Sequence, residues 1–273
     1  MTHQPRLFIH VGLHKTGTSY LQQSVFPHVD GITYLGRPYS AGLSIEPVVH
    51  ARHADEIFLI SNEKFSFPAI SPDYLDPDKR ALSVKAMREQ CLSRLKALLP
   101  SATPIVAVRN PLDWIESTYT QYVKYFGTRS PEEFWSSSGD GCVGASDVTF
   151  DSLVDHVTSL FDRAFVFDYD ELSGDQTALL NGLCTFLGVE RSAPPTANKT
   201  INGRPTQKQI DTLRALNNKP YSERDRKVMR DDILGELCPD NLFQFPANIR
   251  KEITEATRAN WDMARSKISS LRQ

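Results

Sequence analysis

The stretch Arg6–Gln23, RLFIHVGLHKTGTSYLQQ, decides how the rest of the chain is read. Leu7, Phe8, Ile9 and Val11 form a short apolar run, the pattern of a strand buried on both faces rather than one of alternating exposure. Gly12 and Gly17 then bracket Leu13, His14, Lys15 and Thr16. Glycines at these places let the backbone turn tightly and bring several N–H groups towards one point. Thr18 and Ser19 add hydroxyls where a helix begins. A strand, a Gly-bounded loop with one lysine and a helix start together make a cradle for phosphate or sulfate.

The spacing is close to the Walker A pattern G-x-x-x-x-G-K-[ST], with Ser19 in the last place. Thr18, however, stands where the lysine of that pattern belongs, and the lysine has moved into the loop as Lys15. A lysine at the helix start reaches the β and γ phosphates of a nucleoside triphosphate, and the hydroxyl after it holds magnesium. A cation inside the loop suits a shorter anionic tail.

With those residues in view, His14–Gln22, HKTGTSYLQ, resembles the loop that holds the 5′ phosphosulfate in sulfotransferases using 3′-phosphoadenosine 5′-phosphosulfate (PAPS), the bacterial and carbohydrate-type members above all. The resemblance implies that Lys15 contacts the bridging oxygen and the sulfuryl group, and that Thr16, Gly17, Thr18 and Ser19 hold the 5′ phosphate. It also implies that Tyr20, in the first helical turn, stacks on the adenine.

Length and composition set the frame. A chain of 273 residues with 40% hydrophobic content is long enough for one large α/β unit with a helical appendage. A net charge of −2 provides no general attraction to nucleic acid or to an acidic membrane, so a polyanionic ligand must be met by locally placed cations. Cys91, Cys142, Cys184 and Cys238 are widely spaced and form no C-x-x-C pair, which indicates neither a zinc site nor a disulfide framework and fits a reducing, cytoplasmic compartment. No apolar run approaches the roughly 20 residues that span a bilayer, and the first strand begins too close to Met1 for a signal peptide.

Further elements follow in order. Thr18–Phe26 reads as a short helix, Gly31–Gly36 as a strand, and Arg37–Asp55 as a loop over the active face. His50 and His53 have the spacing of metal ligands but no third ligand near them in the sequence. Glu56–Ser61, EIFLIS, reads as a strand with Asn62, Glu63 and Lys64 just past its carboxyl end, where open parallel sheets bind ligands. Glu63 is there the candidate base for the acceptor hydroxyl, with Glu46 or His14 as the alternatives. ISNEKFSFP resembles the S-x-E element of bacterial sulfotransferases, while some heparan-type members carry their glutamate nearer the position of Glu46.

Pro77–Leu99 reads as an amphipathic helix with Leu82, Leu92, Leu95 and Leu99 on one side and a solvated basic face. Thr103–Val108 is the clearest strand after the first, and Pro111 suits the opening turn of the helix after it. In the frame RNPLDWIESTYTQYVKY, Arg109 and Ser117 resemble the pair that recognises the 3′ phosphate of PAPS: a guanidinium fork at a strand end and a hydroxyl about two turns into the helix. Thr128–Asp147 is rich in Ser, Gly and Asp and reads as a mobile loop. A helix over Ser152–Phe161, a strand over Ala164–Phe167 and a helix over Gln176–Leu187 follow, and Tyr169 and Glu171 in VFDYDELSGD resemble a structural Y-E-x-L segment. In the irregular loop Arg191–Pro205 the resemblance nominates Lys199 and Arg204 as late contacts to the nucleotide. From Gln207 onward the chain reads as helices, with Ile210, Leu213, Leu216, Ile253, Ala256 and Trp261 as packing positions.

The expected fold is a three-layer α/β one, with a mostly parallel central sheet of P-loop-NTPase-like topology and a helical C-terminal part. A single unit over 1–273 would divide into a nucleotide-binding core, 6–204, and helices, 205–273. The implied reaction is sulfuryl transfer from PAPS to a hydroxyl or amine of a small-molecule or carbohydrate acceptor, leaving 3′,5′-phosphoadenosine. It needs no metal and no nucleic acid. A small-molecule kinase on a degenerate Walker loop is the alternative enzyme, and a noncatalytic nucleotide-binding protein the alternative of another class.

Overall fold

Successive residues of the first strand feed two different cores. The computed structural model describes residues 6–36, 56–190, 204–235 and 241–272. In β1 (Arg6–His10), Leu7 and Ile9 pack into one apolar cluster and Phe8 into the other. The same alternation runs through β3 (Ile57–Ser61), where Phe58 and Ile60 oppose Ile57 and Leu59, and through β4 (Thr103–Val108) and β7 (Phe165–Asp168). Strands covered on both faces carry continuous apolar runs, which is why these four are visible in the sequence. With the two-residue β2 (Thr33–Tyr34) they form a five-stranded parallel sheet in the order β2-β3-β1-β4-β7. This is the expected α/β, P-loop-NTPase-like arrangement. The chain builds outward from β1 through β3 on one side and β4 on the other, so the loops leaving the carboxyl ends of these three strands converge on one crevice.

Helices cover both faces. After β1 comes α1 (Thr18–Tyr20), which continues as a π turn over Leu21–Val25 and a 3₁₀ turn over Phe26–His28 instead of the regular helix expected there. A single helical turn, α2 (Pro72–Leu75), precedes α3 (Val84–Leu98). The latter begins seven residues later than Pro77, because Ser83 caps it by accepting from the Ala86 amide at 3.1 Å while Asp76–Arg80 close a separate turn. Leu82 is accordingly exposed, whereas Leu92, Leu95 and Leu99 are buried as expected. Its basic residues are not all solvated. Arg88 is buried and donates to the Asp147 carbonyl, and Arg80 donates to the Cys142 and Gly141 carbonyls at 2.8 and 3.3 Å.

Those arginines fasten a segment that composition describes as a mobile loop. Between α4 (Pro111–Lys124) and α6 (Phe150–Leu160), a capping box at Ser130 opens α5 (Pro131–Phe134), and the strands β5 (Trp135–Ser136) and β6 (Val143–Gly144) pair. Phe134, Trp135, Cys142 and Val143 are all buried in the core, so much of 128–147 is structural rather than a lid. The chain closes with α7 (Tyr169–Ser173), α8 (Gln176–Leu187), α9 (Gln207–Asn217), α10 (Glu223–Gly235) and the long α11 (Ala247–Ser270). Ile210, Leu213, Ile253 and Trp261 are buried as expected; Leu216 is only partly covered, and Ala256 faces solvent while Thr257 takes the inward position. Among the described residues Cys91 and Cys142 are free thiols, no cluster could hold a metal, and no helix is long and apolar enough to cross a membrane. Arg37–Asp55, with Glu46, His50 and His53, lies outside the described residues, as do Lys199 and Cys238.

Candidate active site

The loop between β1 and α1 is pinned to strands on both sides where it leaves β1. Val11 donates its amide to Ile105 of β4 at 2.9 Å, and the His10 carbonyl accepts from Asn62 at 3.1 Å. Within it Lys15 has φ +70° and Gly17 φ +78°. Left-handed backbone costs a non-glycine residue roughly 1–2 kcal/mol and persists only where neighbours hold it. Three hydrogen bonds do so here. Thr16 Oγ1 donates to the Leu13 carbonyl at 2.6 Å, Trp114 Nε1 to that of His14 at 2.8 Å, and Arg109 Nη1 to that of Lys15 at 2.9 Å. At Gly17 a Cβ would lie 2.7 Å from Leu172 Cδ2 and 2.8 Å from Tyr169 Cε2, so glycine is required by space as well as by φ. Beneath the loop, buried His10 meets Ser61 Oγ at 2.7 Å, and Gln22 Nε2 donates to the Ser61 hydroxyl and carbonyl at 3.0 and 3.2 Å. Burial pushes the His10 imidazole down to about 3, so this support is neutral.

Over the loop opens a cavity of about 540 Å³, a volume typical of ligand sites. Lys15, Gly17, Thr18, Ser19, Tyr20, Glu63, Arg109 and Ser117 all line it, so eight of the residues singled out in the sequence meet at one place. Thr16 turns inward to its loop bond and is fully buried. Lys15 Nζ lies 3.5 Å from Gln121 Oε1 on α4. Its ammonium is pushed down to about 8, by burial first and then by Lys124 and Arg109, with Glu63 acting the other way. The Arg109 guanidinium lies over the Tyr169 ring, 4.6 Å from the centroid, rather than on Asp113 or Glu116. Burial also lowers its pKa, though it stays protonated. Two buried polar atoms of residues lining it, Thr18 Oγ1 and Arg109 Nε, have no hydrogen-bond partner among the described residues; Thr18 Oγ1 lies on the Gly12 side, where His10 Nε2 is also without one. Buried donors are ordinarily satisfied, so an orphaned hydroxyl and guanidinium N–H beside one cavity ask for an acceptor.

Glu63 opens the 3₁₀ turn after β3, which Asn62 caps by accepting from the Lys64 amide at 3.0 Å. Ser66 Oγ ties that turn to the Gly12 carbonyl at 3.2 Å. The carboxylate is therefore held against the loop, with Oε1 3.7 Å from His14 Nδ1. Tyr20 accepts from Gln176 Nε2 through its hydroxyl.

Arg204 is placed elsewhere. It pairs with buried Glu116 at 3.2 Å and with Asp113 at 3.8 Å, and it lies off the cavity wall. Glu116 also accepts from the Phe245 amide at 2.9 Å, so this arginine joins α4 to the C-terminal helices. Sequence reasoning passed over Gln121, Gln176 and the ring of Tyr169, all on the cavity wall. Gln121 follows Ser117 by one helical turn, a spacing that places it on the same face. Tyr169, expected to be structural, is the platform beneath Arg109, whereas Glu171 does cap its own helix by accepting from the Asp168 amide at 3.0 Å and pairs with Arg272.

Comparison with known proteins agrees with the fold. A crystal structure of a sulfotransferase from Alicyclobacillus acidocaldarius superposes with a TM-score of 0.53, 16% identity and 99% of each chain covered. The mouse sulfotransferase SULT7A1 complexed with PAP aligns over 98% of this chain and 89% of its own at 14% identity, with a TM-score of 0.44. No curated protein sequence matches. A model described as "Sulfotransferase family" matches residues 39–193, more than half of the chain, starting beyond the cradle and so owing nothing to Lys15. Two separate stretches thus lead to one conclusion: the chain belongs to the sulfotransferase family, whose chemistry is sulfuryl transfer.

Proposed function

We propose that the chain transfers the sulfuryl group of PAPS to a hydroxyl or amine of a small-molecule or carbohydrate acceptor, in line, at the cavity over the β1–α1 loop. What carries the reading is the link between two anion sites. Lys15 is held left-handed in one, and its own carbonyl is gripped by Arg109, the arginine of the other. A nucleotide bearing phosphate at both the 5′ and 3′ positions is the ligand that uses both. The orphaned Thr18 hydroxyl and Arg109 Nε–H fit such a ligand, one beside each phosphate.

PAPS would supply a sulfuryl group already attached to a phosphate leaving group. The loop amides with Thr18 and Ser19 would hold the 5′ phosphate at the helix start. Lys15 is placed to neutralise charge on the departing oxygen in a partly desolvated site. Arg109 and Ser117 would clasp the 3′ phosphate, and Tyr20 would meet the adenine. Glu63 takes the acceptor proton as that oxygen or nitrogen attacks sulfur. Lys199 belongs to this set on the resemblance alone; Arg204 would act at one remove, through the charge it shares with Glu116.

Isothermal titration with 3′,5′-phosphoadenosine tests the cofactor. Micromolar binding to the folded protein is expected, and no detectable heat or thermal shift at millimolar ligand refutes it. Incubation with sulfur-labelled PAPS and cell extract, with identification of the labelled product, then reports the acceptor class.

A further inference from the structure

The imidazole of His14 is oriented by an atom that can only accept. Its Nε2 lies 2.9 Å from the Phe67 carbonyl, so that nitrogen carries the hydrogen and donates it. Nδ1 is then the basic nitrogen, and it faces Glu63 Oε1 at 3.7 Å, with the two side chains only 13% and 17% exposed. A basic nitrogen and a carboxylate oxygen turned towards one another repel unless a proton or a donor lies between them. The ring is further framed edge-on by Phe67, 6.2 Å between centroids, and the His14 carbonyl is fixed by Trp114. The orientation is thus built from both sides of the ring, on the wall of the cavity where Glu63 stands.

From this geometry we infer that His14 and Glu63 act as one proton-holding pair, with His14 as the positioning residue that shares the proton Glu63 removes from the acceptor. The inference rests on the sulfuryl-transfer reading of the site and adds to it. In the step, the acceptor O–S bond forms and the S–O bond to phosphate breaks, its electron pair leaving on the phosphate oxygen. The acceptor proton passes to the space between Glu63 Oε1 and His14 Nδ1. The pair goes from a net charge of −1 to zero, and no other group changes protonation. An imidazole nitrogen that takes part of the proton makes the pair a better proton acceptor than a carboxylate acting alone. Lys15 on the same loop is coupled to Glu63, and the cations Lys124, Arg109 and Arg204 act on Lys15 in turn.

The test uses the whole protein without nucleotide. Histidine labelled with nitrogen-15, assigned through His14→Gln, reports both the tautomer and the titration midpoint of His14. The expected result is an Nε2–H tautomer at high pH and a midpoint that falls by about one unit or more in Glu63→Gln, since an opposite charge at this range shifts an imidazole by that order. An Nδ1–H tautomer, or a midpoint unmoved by Glu63→Gln, overturns the pairing. Should Glu63→Gln fail to fold, Glu63→Asp, which withdraws the charge by one methylene, must lower the midpoint by a smaller amount, and the wild-type tautomer decides independently. Because neither readout involves PAPS, failure here leaves the cofactor reading to calorimetry, and the reverse also holds.

Discussion

Arg109→Ala asks whether the guanidinium reads the 3′ phosphate or only supports the loop. One of its donors, Nη1, is already spent on the Lys15 carbonyl at 2.9 Å. The Nε–H, buried and without a partner among the described residues, together with Nη2 leaves one complete edge of the fork for a phosphate. Two hydrogen bonds to a charged group at about 1.5–3 kcal/mol each come to roughly 3–6 kcal/mol, or about two to four orders of magnitude in affinity. The loss must be specific, however, because alanine also removes the tether on Lys15 and the contact with Tyr169. The assay is therefore a cycle: calorimetric Kd values for 3′,5′-phosphoadenosine and for 5′-AMP, each with wild type and Arg109→Ala. Wild type should favour the doubly phosphorylated ligand by about a hundredfold or more, and the variant should lose that preference while binding 5′-AMP within a fewfold of wild type. Arg109→Lys, which keeps a point charge but no fork, should recover only part of it. Equal weakening of both ligands would make Arg109 a loop support, and an undiminished preference would refute the 3′-phosphate assignment.

Three further outcomes follow from individual positions. Lys15, held near 8 by burial and neighbouring cations, should make the Kd for 3′,5′-phosphoadenosine rise by up to about tenfold per pH unit above that value, since binding favours the charged form; in Lys15→Arg the dependence should vanish over the same range, and a flat wild-type profile between pH 7 and 10 would count against it. Gly17→Ala places a methyl 2.7 Å from Leu172 Cδ2 at φ +78°, so urea unfolding should show a loss of roughly 1–3 kcal/mol, together with lost nucleotide binding. Burial raises the Asp168 carboxyl from 3.8 to about 6, so the folded state binds the proton more tightly than the unfolded one, and stability falls as pH rises between those values. Asp168→Asn keeps the helix-capping acceptor used by the Asp170 amide and should stabilise by about 1–3 kcal/mol at pH 7, an advantage that disappears near pH 4 in thermal melts.

Local pattern accounts for what the sequence disclosed and for what it hid. β1, β3, β4 and β7 carry apolar runs because both faces are covered, and residues just past the carboxyl end of each line the cavity. The cradle is legible because its conformational demands are met by residue types at fixed spacing. Segment 128–147 misleads for the opposite reason: Ser, Gly and Asp dominate its composition, while the buried Phe134, Trp135, Cys142 and Val143, with Arg80 before α3 and Arg88 on it, fix it in place. Arg204 looks like a nucleotide contact until its carboxylate partner, 88 residues away on α4, is known. The start of α3 turns on whether Ser83 or Pro77 opens the helix, a choice made by one side-chain hydrogen bond.

The charge distribution explains why a protein of net charge −2 should take up a polyanion at all. Lys15 is disfavoured by burial and by Lys124, Arg109 and Arg204, with Glu63 as the opposing charge, so the free site stores electrostatic cost in its cations. That cost is the converse of binding energy: a ligand carrying phosphate at both ends would relieve repulsion at Lys15 and meet the orphaned Arg109 Nε–H. Glu63 then has two environments. Beside uncompensated cations in one and a bound polyanion in the other, its carboxylate faces His14 Nδ1 across 3.7 Å. A nucleotide that compensates those cations would bind ahead of the acceptor, by the same electrostatics that place the lysine inside the loop.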